Sequence, residues 1–281
     1  MTNVSASITI TFLHEISLQN LNNALIALVS KMAFPGARRL QIWTLIVPDV
    51  ESCPDFLRDA LSNEEVHMAA AFHSPKKAIH YIIAHYALRS LLGAYLKVSA
   101  NAISYKNGGY GKPMLSAASI HRNLEFNMSH SGNVIMYAFS RYTPVGIDVE
   151  ELTSQFAFDE LANQVLTREE RNELMLLAPD AQKSAFLACW TRKEAYLKAN
   201  GIGLSVPMNT FAVSLLPSEQ PYLKWDRDAS RSQVMWSMLH LEPQMNYVAA
   251  AVLKGPLSSI THNIVRLSTS WIPSQCISNA S

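Results

Sequence analysis

The apolar residues of the chain recur at spacings that predict an ordered series of strands and helices from Leu40 onward. The run LQIWTLIV is typical of a buried strand. Two helical segments follow, near residues 62–72 and 76–97, and after a glycine-rich loop the runs EFNMS and NVIMYAFS are candidate strands. The second helix is indicated by apolar residues at helical spacing, which are Ile79, Ile82, Ile83, Tyr86 and Leu91.

A similar order of elements recurs from Val145. The recurrence predicts an α/β (α+β) fold of two similar halves, residues 40–144 and 145–255, each with a small, mainly antiparallel sheet packed on a long helix. Residues 1–39 show no pattern that ties them to this series and are expected to be an extension of unknown role, and residues 256–281 are expected to be a peripheral tail. The second series consists of the strand VGIDV, helices near 156–165 and 181–200, and strands near 209–216, 233–239 and 246–253.

The composition narrows the class of protein without naming a function. Of the 281 residues, 49% are hydrophobic and 16% are charged, which is typical of a folded globular chain. A net charge of +1 gives no reason to expect binding to nucleic acid. The three cysteines, Cys53, Cys189 and Cys276, have no metal-binding or redox spacing, which favours a reducing compartment.

Targeting and membrane signals are also weak in this sequence. The first residues lack the basic and apolar regions of a signal peptide. Residues 81–96 are apolar, but His85 and Arg89 interrupt them and the run is too short to cross a bilayer. The sequence therefore predicts a cytoplasmic protein without a membrane segment.

The strand VGIDVE carries two acids that point to the same side. Residues two apart on a strand share a face, so Asp148 and Glu150 lie together while Ile147 and Val149 face the opposite way. Neighbouring carboxylates repel each other, and two explanations are open. The face is either a solvated edge of a sheet or a place where a divalent cation binds.

The helix in FLACWTRKEAYLKANGIGLS brings a third carboxylate and a lysine. It is expected to end near Asn200, with Gly201 just beyond. Glu194 and Lys198 continue an otherwise apolar face, and they are either a surface ion pair or part of a buried site. With Asp148 and Glu150, Glu194 would complete a set of oxygen ligands suited to Mg²⁺, and Lys198 or Lys193 would neutralise a bound phosphate. The face contains Leu187, Trp190, Thr191, Glu194 and Lys198.

Two further stretches have the composition of anion-binding segments. In FNMSHSGN, Ser129 and His130 are adjacent and face opposite ways on a strand, which argues against a nucleophile–base pair and leaves phosphate binding as the alternative. The loop GYGKP contains Lys112 and Pro113, but it lacks the spacing of a phosphate-binding loop. A turn with a solvated lysine is the simpler interpretation.

Four motifs in this order resemble the 4′-phosphopantetheinyl transferases, in particular the larger, monomeric type that activates peptide and polyketide synthases. They are GKP, FNMSHS, VGIDVE and WTRKEAYLKANGIGLS, and the resemblance covers roughly residues 40–255. It implies two α/β halves related by a pseudo-two-fold axis, with coenzyme A in the cleft between them. It also implies transfer of phosphopantetheine from coenzyme A to a serine of an apo carrier protein, which releases 3′,5′-ADP, as in holo-[acyl-carrier-protein] synthases.

The resemblance assigns roles to the acidic and basic residues of the second half. Asp148, Glu150 and Glu194 match the magnesium ligands, and Lys198 matches a lysine that contacts the pyrophosphate. Glu170, in LTREERNEL, matches a proposed general base, although its neighbour Glu169 and a metal-bound water are alternatives.

The resemblance also assigns the phosphate and nucleotide contacts, with one departure from the family pattern. Ser129 and His130 match a pair near the coenzyme A phosphates, and Lys112 and Pro113 match the loop at the nucleotide end. Family members usually carry an arginine for the 3′-phosphate early in the first long helix, where this chain has KKAIHYIIAHYALR. Lys76, Lys77 or Arg89 is expected to replace it.

Two other functions would use the same residues. A magnesium-dependent phosphodiesterase or nuclease would hydrolyse its substrate with the three carboxylates. A binding module would carry the same acids as a solvated face. Fatty-acid, polyketide, polyunsaturated-lipid and siderophore carrier proteins all remain possible partners of a transferase.

Overall fold

The structure of the 281-residue chain is a computed structural model. The structure describes residues 7–107, 113–116, 123–152, 158–217 and 220–268. Within these ranges it is a mixed α+β fold, which confirms the predicted class.

Eight α-helices are present in the described part of the chain, and two of them, α4 and α7, are 22 residues long. Both long helices begin with proline, whose missing N–H costs nothing in a first turn. The helices are α1 (Leu21–Ser30), α2 (Asp55–Asp59), α3 (Asn63–Ala70), α4 (Pro75–Leu96), α5 (Phe158–Val165), α6 (Arg168–Met175), α7 (Pro179–Asn200) and α8 (Ala229–Ser232).

The strands form one five-stranded sheet, one three-stranded sheet and two two-stranded ribbons within the described ranges. They are β1 (Ser7–Ser17), β2 (Arg39–Ile46), β3 (Tyr105–Asn107), β4 (Pro113–Leu115), β5 (Leu124–Ser131), β6 (Val134–Arg141), β7 (Val145–Glu151), β8 (Phe211–Val213), β9 (Leu223–Asp226), β10 (Trp236–Leu241), β11 (Tyr247–Lys254) and β12 (Ser259–Ser268). The orders are β1-β12-β2-β6-β5, β10-β11-β7, β3-β4 and β8-β9.

The chain divides into two compact units. Among the described residues, one unit contains those within 1–11, 35–44 and 104–263, and the other contains those within 12–34, 45–103 and 264–281. The helix α7 and the strands β5, β6, β7 and β11 belong to the first unit, and α1 to α4 belong to the second. The boundary expected between residues 144 and 145 lies within the first unit, so the division into two similar halves stays a prediction.

Both ends of the described chain carry regular structure that the apolar pattern did not predict. Residues expected to be an extension form β1 and α1, and Leu21, Leu25 and Val29 of α1 are buried. The expected peripheral tail contains β12, in which Ile260 and Val265 are buried. Regular structure therefore extends beyond residues 40–255 in both directions.

The helix ends follow the local sequence. Ser62 and Thr167 are N-caps in reciprocal capping boxes with Glu65 and Glu170, respectively, and each box satisfies two backbone N–H groups. The helix α7 ends at Asn200, and Gly201 follows with a φ of 69°, which confirms the predicted stop.

Close packing of α7 against β7 fixes the elements that carry the acids. The first five residues of β7 and the first seven of β11 are buried, and the two strands pair antiparallel with Asp148 opposite Ala250. A Cβ at Gly146 would collide with the backbone of α7 at Ala195 and Ala199. Glycine at this position therefore allows the helix and the strand to approach each other closely.

None of the described helices combines the length and the apolar character that a membrane span requires.

Candidate functional site

The three acids singled out by sequence lie on two packed elements of one unit. Asp148 and Glu150 are on β7, and Glu194 is on α7. Asp148 is 4% exposed, whereas Glu150 and Glu194 are partly exposed. The alternation of β7 thus places Asp148 beside Lys198 of α7 rather than in open solvent.

One oxygen of Asp148 is the centre of a tight polar cluster. Its Oδ1 atom accepts from Lys198 Nζ at 2.6 Å and from Ser129 Oγ at 2.8 Å. Lys198 Nζ also donates to Ser129 Oγ at 3.2 Å and to the carbonyl oxygen of Ile147 at 3.3 Å. The ammonium group therefore neutralises part of the charge that the carboxylates bring together.

The other oxygen of Asp148 is buried and has no hydrogen-bond partner among the described residues. A buried carboxylate oxygen without a partner loses hydration without compensation, unless a ligand supplies it. This oxygen marks an available acceptor position on the acidic face.

The neighbouring acids hold their protons more strongly than free glutamates do. Burial, and next the charge of Asp148, raises the pKa of Glu150 to about 7. Burial and then Asp148 also raise the pKa of Glu194, and Lys198 opposes this increase. Carboxylates that repel each other in a partly dry site would be relieved by a cation.

The three carboxylates supply some of the oxygen ligands that a hard cation such as Mg²⁺ requires. Across the described residues, no three Asp, Glu, His or Cys side chains form a ready cage for a metal ion. Mg²⁺ does not require one, because it usually binds through one or two carboxylates, waters and phosphate oxygens. The partnerless Asp148 oxygen, with Glu150 and Glu194 nearby, could hold it in this way.

The strand β5 places Ser129 and His130 on opposite faces, as predicted. Ser129 Oγ donates its hydrogen to Asp148, and His130 is exposed. Ser129 is therefore bonded to the acidic cluster, which consists of Asp148, Glu150 and Glu194 with Lys198. This arrangement differs from that of a serine nucleophile activated by an adjacent imidazole.

Lys193 and Glu170 form a wholly buried ion pair, which corrects two expectations. Lys193 Nζ lies 2.7 Å from Glu170 Oε2 and donates to three backbone carbonyls, and both side chains are 0% exposed. Glu170 also accepts from the backbone N–H groups of Thr167 and Val213. In this arrangement Lys193 cannot reach a bound phosphate and Glu170 cannot reach a carrier serine.

Arg89 is likewise held inside the fold, which corrects the suggestion that it reads the 3′-phosphate. It is 2% exposed, its Nε donates to Glu65 at 2.6 Å, and one guanidinium nitrogen donates to the carbonyls of Ala100 and Ile103. Through these hydrogen bonds, Arg89 connects α4 to α3 and to the segment that follows α4.

The structure describes some, but not all, of the remaining residues that were predicted to contact coenzyme A. Lys76 and Lys77 are exposed in the first turn of α4, and Lys76 forms an ion pair with Asp49. Lys112 lies outside the described residues, and Pro113 begins β4.

Sequence reasoning missed one side chain that contacts the acidic cluster, Ser131. Its hydroxyl donates to Glu150 Oε2 at 3.0 Å and accepts from the N–H of Glu151 at 3.1 Å. The alternation of β5 could have indicated it, because Ser131 shares a face with Ser129.

These observations define a mixed α+β protein in which the packed elements β7 and α7 bring three carboxylates and Lys198 together. Residues 144–252, which contain β7 and α7, match the model of the 4′-phosphopantetheinyl transferase superfamily. The 4′-phosphopantetheinyl transferase HetI of Nostoc sp. is 32% identical over 217 residues, which are 77% of this chain and 88% of HetI. The 4′-phosphopantetheinyl transferase gsp of Aneurinibacillus migulanus is 30% identical, over 56% of this chain and 63% of gsp.

A solved structure is also similar in part. It is a holo-(acyl-carrier-protein) synthase from Bacillus anthracis in complex with CoA (3′,5′-ADP), with 24% identity, 40% of this chain and 96% of that chain covered, and a TM-score of 0.34. A TM-score this low supports no inference about the site. The match to HetI over most of both chains is sufficient: the chain belongs to the 4′-phosphopantetheinyl transferase family.

Proposed function

We propose that this protein transfers the 4′-phosphopantetheine group of coenzyme A to a serine of an apo carrier protein, with Mg²⁺ as cofactor. The products are the holo carrier protein and 3′,5′-ADP. Membership of the family supports the reaction, and the acidic cluster of β7 and α7 supports the place where it occurs.

The observation that carries this proposal is the buried Oδ2 atom of Asp148. It has no hydrogen-bond partner among the described residues, while Oδ1 of the same group is bonded to Lys198 and Ser129. A purely structural aspartate would be expected to use both oxygens. Asp148, Glu150 and Glu194 are therefore proposed to hold Mg²⁺.

Each residue of the cluster has a specific task in this proposal. When bound, Mg²⁺ would neutralise charge on the pyrophosphate and on the departing 3′,5′-ADP. Lys198, whose side chain is 27% exposed, offers the pyrophosphate a positive charge, and Ser129 and Asp148 hold its ammonium group in place. Such fixed charges stabilise the transition state because they need little reorganisation during transfer.

Other residues are proposed to contact the phosphates and the nucleotide of coenzyme A. Lys76 and Lys77 bind the 3′-phosphate, His130 contacts a coenzyme A phosphate, and Lys112 and Pro113 contact the nucleotide end. The carrier serine gives its proton to a group other than Glu170, because Glu170 is enclosed and paired with Lys193.

We further propose that the protein works as a cytoplasmic monomer on a carrier protein or carrier domain. Cys53 and Cys189 are free, which agrees with a reducing compartment. The net charge of +1 supports the expectation that nucleic acid is not a partner.

Amide substitutions test whether this cluster performs the transfer. Asp148→Asn and Glu194→Gln keep the side-chain shapes and each remove one charge. Transfer to an apo carrier protein, followed by intact mass, should fall by about 10²-fold or more in both variants, as expected when a metal ligand is lost. Glu242→Gln, on an exposed side chain, serves as the matched control. Wild-type rates in both site variants would refute the assignment, and hydrolysis without a modified carrier would favour a phosphodiesterase.

A further inference from the structure

One face of β5 is joined to β7 through side chains, although the two strands belong to different sheets. Asn127, Ser129 and Ser131 share this face because they are two residues apart. The N–H of Ile147 donates to Asn127 Oδ1 at 2.8 Å, and the N–H of Glu151 donates to Ser131 Oγ at 3.1 Å. Two backbone donors of β7 are thus satisfied by side chains, which fix the position of β7 relative to β5.

Ser131 differs from Ser129 on this face because its hydroxyl accepts from a backbone N–H of β7, whereas the Ser129 hydroxyl accepts from the ammonium group of Lys198. The Ser131 hydroxyl accepts from the backbone N–H of Glu151 and donates to Glu150 Oε2 at 3.0 Å. Since the N–H occupies one lone pair of the oxygen, the hydroxyl hydrogen is left to point toward the carboxylate. Ser131 therefore links the Glu150 carboxylate to the backbone of its own strand.

The turn after Ser131 holds this serine in place. Gly132 has a φ of 52°, and a Cβ there would collide with the Tyr247 hydroxyl and the Glu151 carboxylate. The N–H of Asn133 donates to the Tyr247 oxygen at 3.1 Å, and the Tyr247 hydroxyl donates to Asn133 Oδ1 at 2.8 Å. The end of β5 is thereby attached to β11 as well as to β7.

We propose that Ser131 is a positioning residue for the Glu150 carboxylate, and that the turn bound to Tyr247 keeps it in that role. The proposal rests on the proposed function, since it concerns the geometry of the same metal-binding cluster. Ser129 has the equivalent place beside Asp148, where it shares the carboxylate with Lys198. No corresponding ammonium contact to Glu150 is seen among the described residues, so the serine hydroxyl orients this carboxylate.

A metal-binding assay tests the positioning role of Ser131 separately from catalysis. The probe is Mn²⁺, a hard cation that accepts oxygen ligands, titrated into the full-length protein while electron paramagnetic resonance follows the free ion. Ser131→Ala should weaken Mn²⁺ binding by about tenfold, the range seen when a group that orients a ligand is removed. Ser131→Thr keeps the hydroxyl and should bind Mn²⁺ with nearly the affinity of the wild type.

A second serine in the same unit provides a matched control. Ser237 Oγ also accepts a backbone N–H, from Leu257 at 3.0 Å, and donates at 2.8 Å, but its acceptor is the carbonyl of Gly255. Ser237→Ala should therefore lose the same kind of bonds without a change in Mn²⁺ affinity. Thermal unfolding of each variant separates loss of the fold from loss of the hydroxyl.

The outcomes distinguish the positioning role of Ser131 from the existence of the metal site itself. Weak binding by Ser131→Ala with normal binding by Ser131→Thr and Ser237→Ala supports the positioning role. Equal affinity of wild type and Ser131→Ala overturns the role and leaves the metal site intact, and equal losses in Ser131→Ala and Ser131→Thr overturn it too. Wild-type protein that binds no Mn²⁺ would refute the metal site, and the positioning role would fall with it.

Discussion

Replacing Lys193 by methionine should destabilise the fold by about 3–5 kcal/mol, the usual consequence of removing one partner of a buried ion pair. The ammonium group is 0% exposed, lies 2.7 Å from Glu170 Oε2, and donates to the carbonyls of Val165, Met208 and Phe211 at 2.8–3.1 Å. Methionine fills much of the same volume but leaves a buried carboxylate and three carbonyls without their donor. For a chain of this size, the loss corresponds to a decrease of roughly 10 °C in the unfolding temperature.

Calorimetric unfolding and coenzyme A titration together test this reasoning. Adding Glu170→Gln to Lys193→Met should recover part of the lost stability, because the unpaired charge is removed. Lys254→Met, at an exposed lysine, is the control and should change the unfolding temperature little. If Lys193→Met unfolds like the wild type but binds coenzyme A more weakly, the residue contacts ligand and the structural interpretation is wrong.

Three further changes probe other parts of the fold and site. Gly146→Ala should cost about 1–3 kcal/mol or more in denaturant unfolding, because its Cβ would enter the backbone of α7, and wild-type stability would contradict that packing. Burial, and then the charge of Asp148, raises the pKa of Glu150 from 4.5 to about 7, so the folded state binds the additional proton. Metal-free stability should therefore decline by up to about 3 kcal/mol as pH rises from 4.5 through 7, and Glu150→Gln should flatten this dependence in calorimetry at several pH values; identical profiles would argue against it. Replacing both Lys76 and Lys77 by alanine should reduce the preference for coenzyme A over 3′-dephospho-coenzyme A in titration calorimetry, and an unchanged preference would show that the 3′-phosphate is bound elsewhere.

Local signals explain why the middle of the chain was predictable. The alternation of β7 and the helical spacing of α7 are set by burial of one face, and the glycine after Asn200 marks the end of α7. The capping box at Thr167 and Glu170 was visible in the sequence, yet α6 was not predicted because its apolar residues are few. The strand β1 and the helix α1 were missed for a different reason: both contain apolar residues, but no motif connected residues 1–39 to the rest of the chain.

The sequence could not reveal which charged side chains are buried. Lys193 and Lys198 are five residues apart on one helix, and both could have been assigned to phosphate. The structure encloses Lys193 with Glu170 and leaves Lys198 partly exposed beside Asp148. Arg89 was similarly assigned to a ligand, but it is paired with Glu65 inside the fold. Such partners are distant in sequence, and only packing selects them.

The intact mass of an apo carrier protein, after incubation with this protein, coenzyme A and Mg²⁺, tests the central claim most directly. The account predicts that the carrier gains one phosphopantetheine group, that 3′,5′-ADP appears in equal amount, and that a carrier with alanine in place of the acceptor serine is unchanged. The same incubation with Glu194→Gln should leave the carrier almost entirely in its apo form. An unmodified carrier across fatty-acid, polyketide and peptide types, with folded wild-type protein and Mg²⁺ present, would contradict the account.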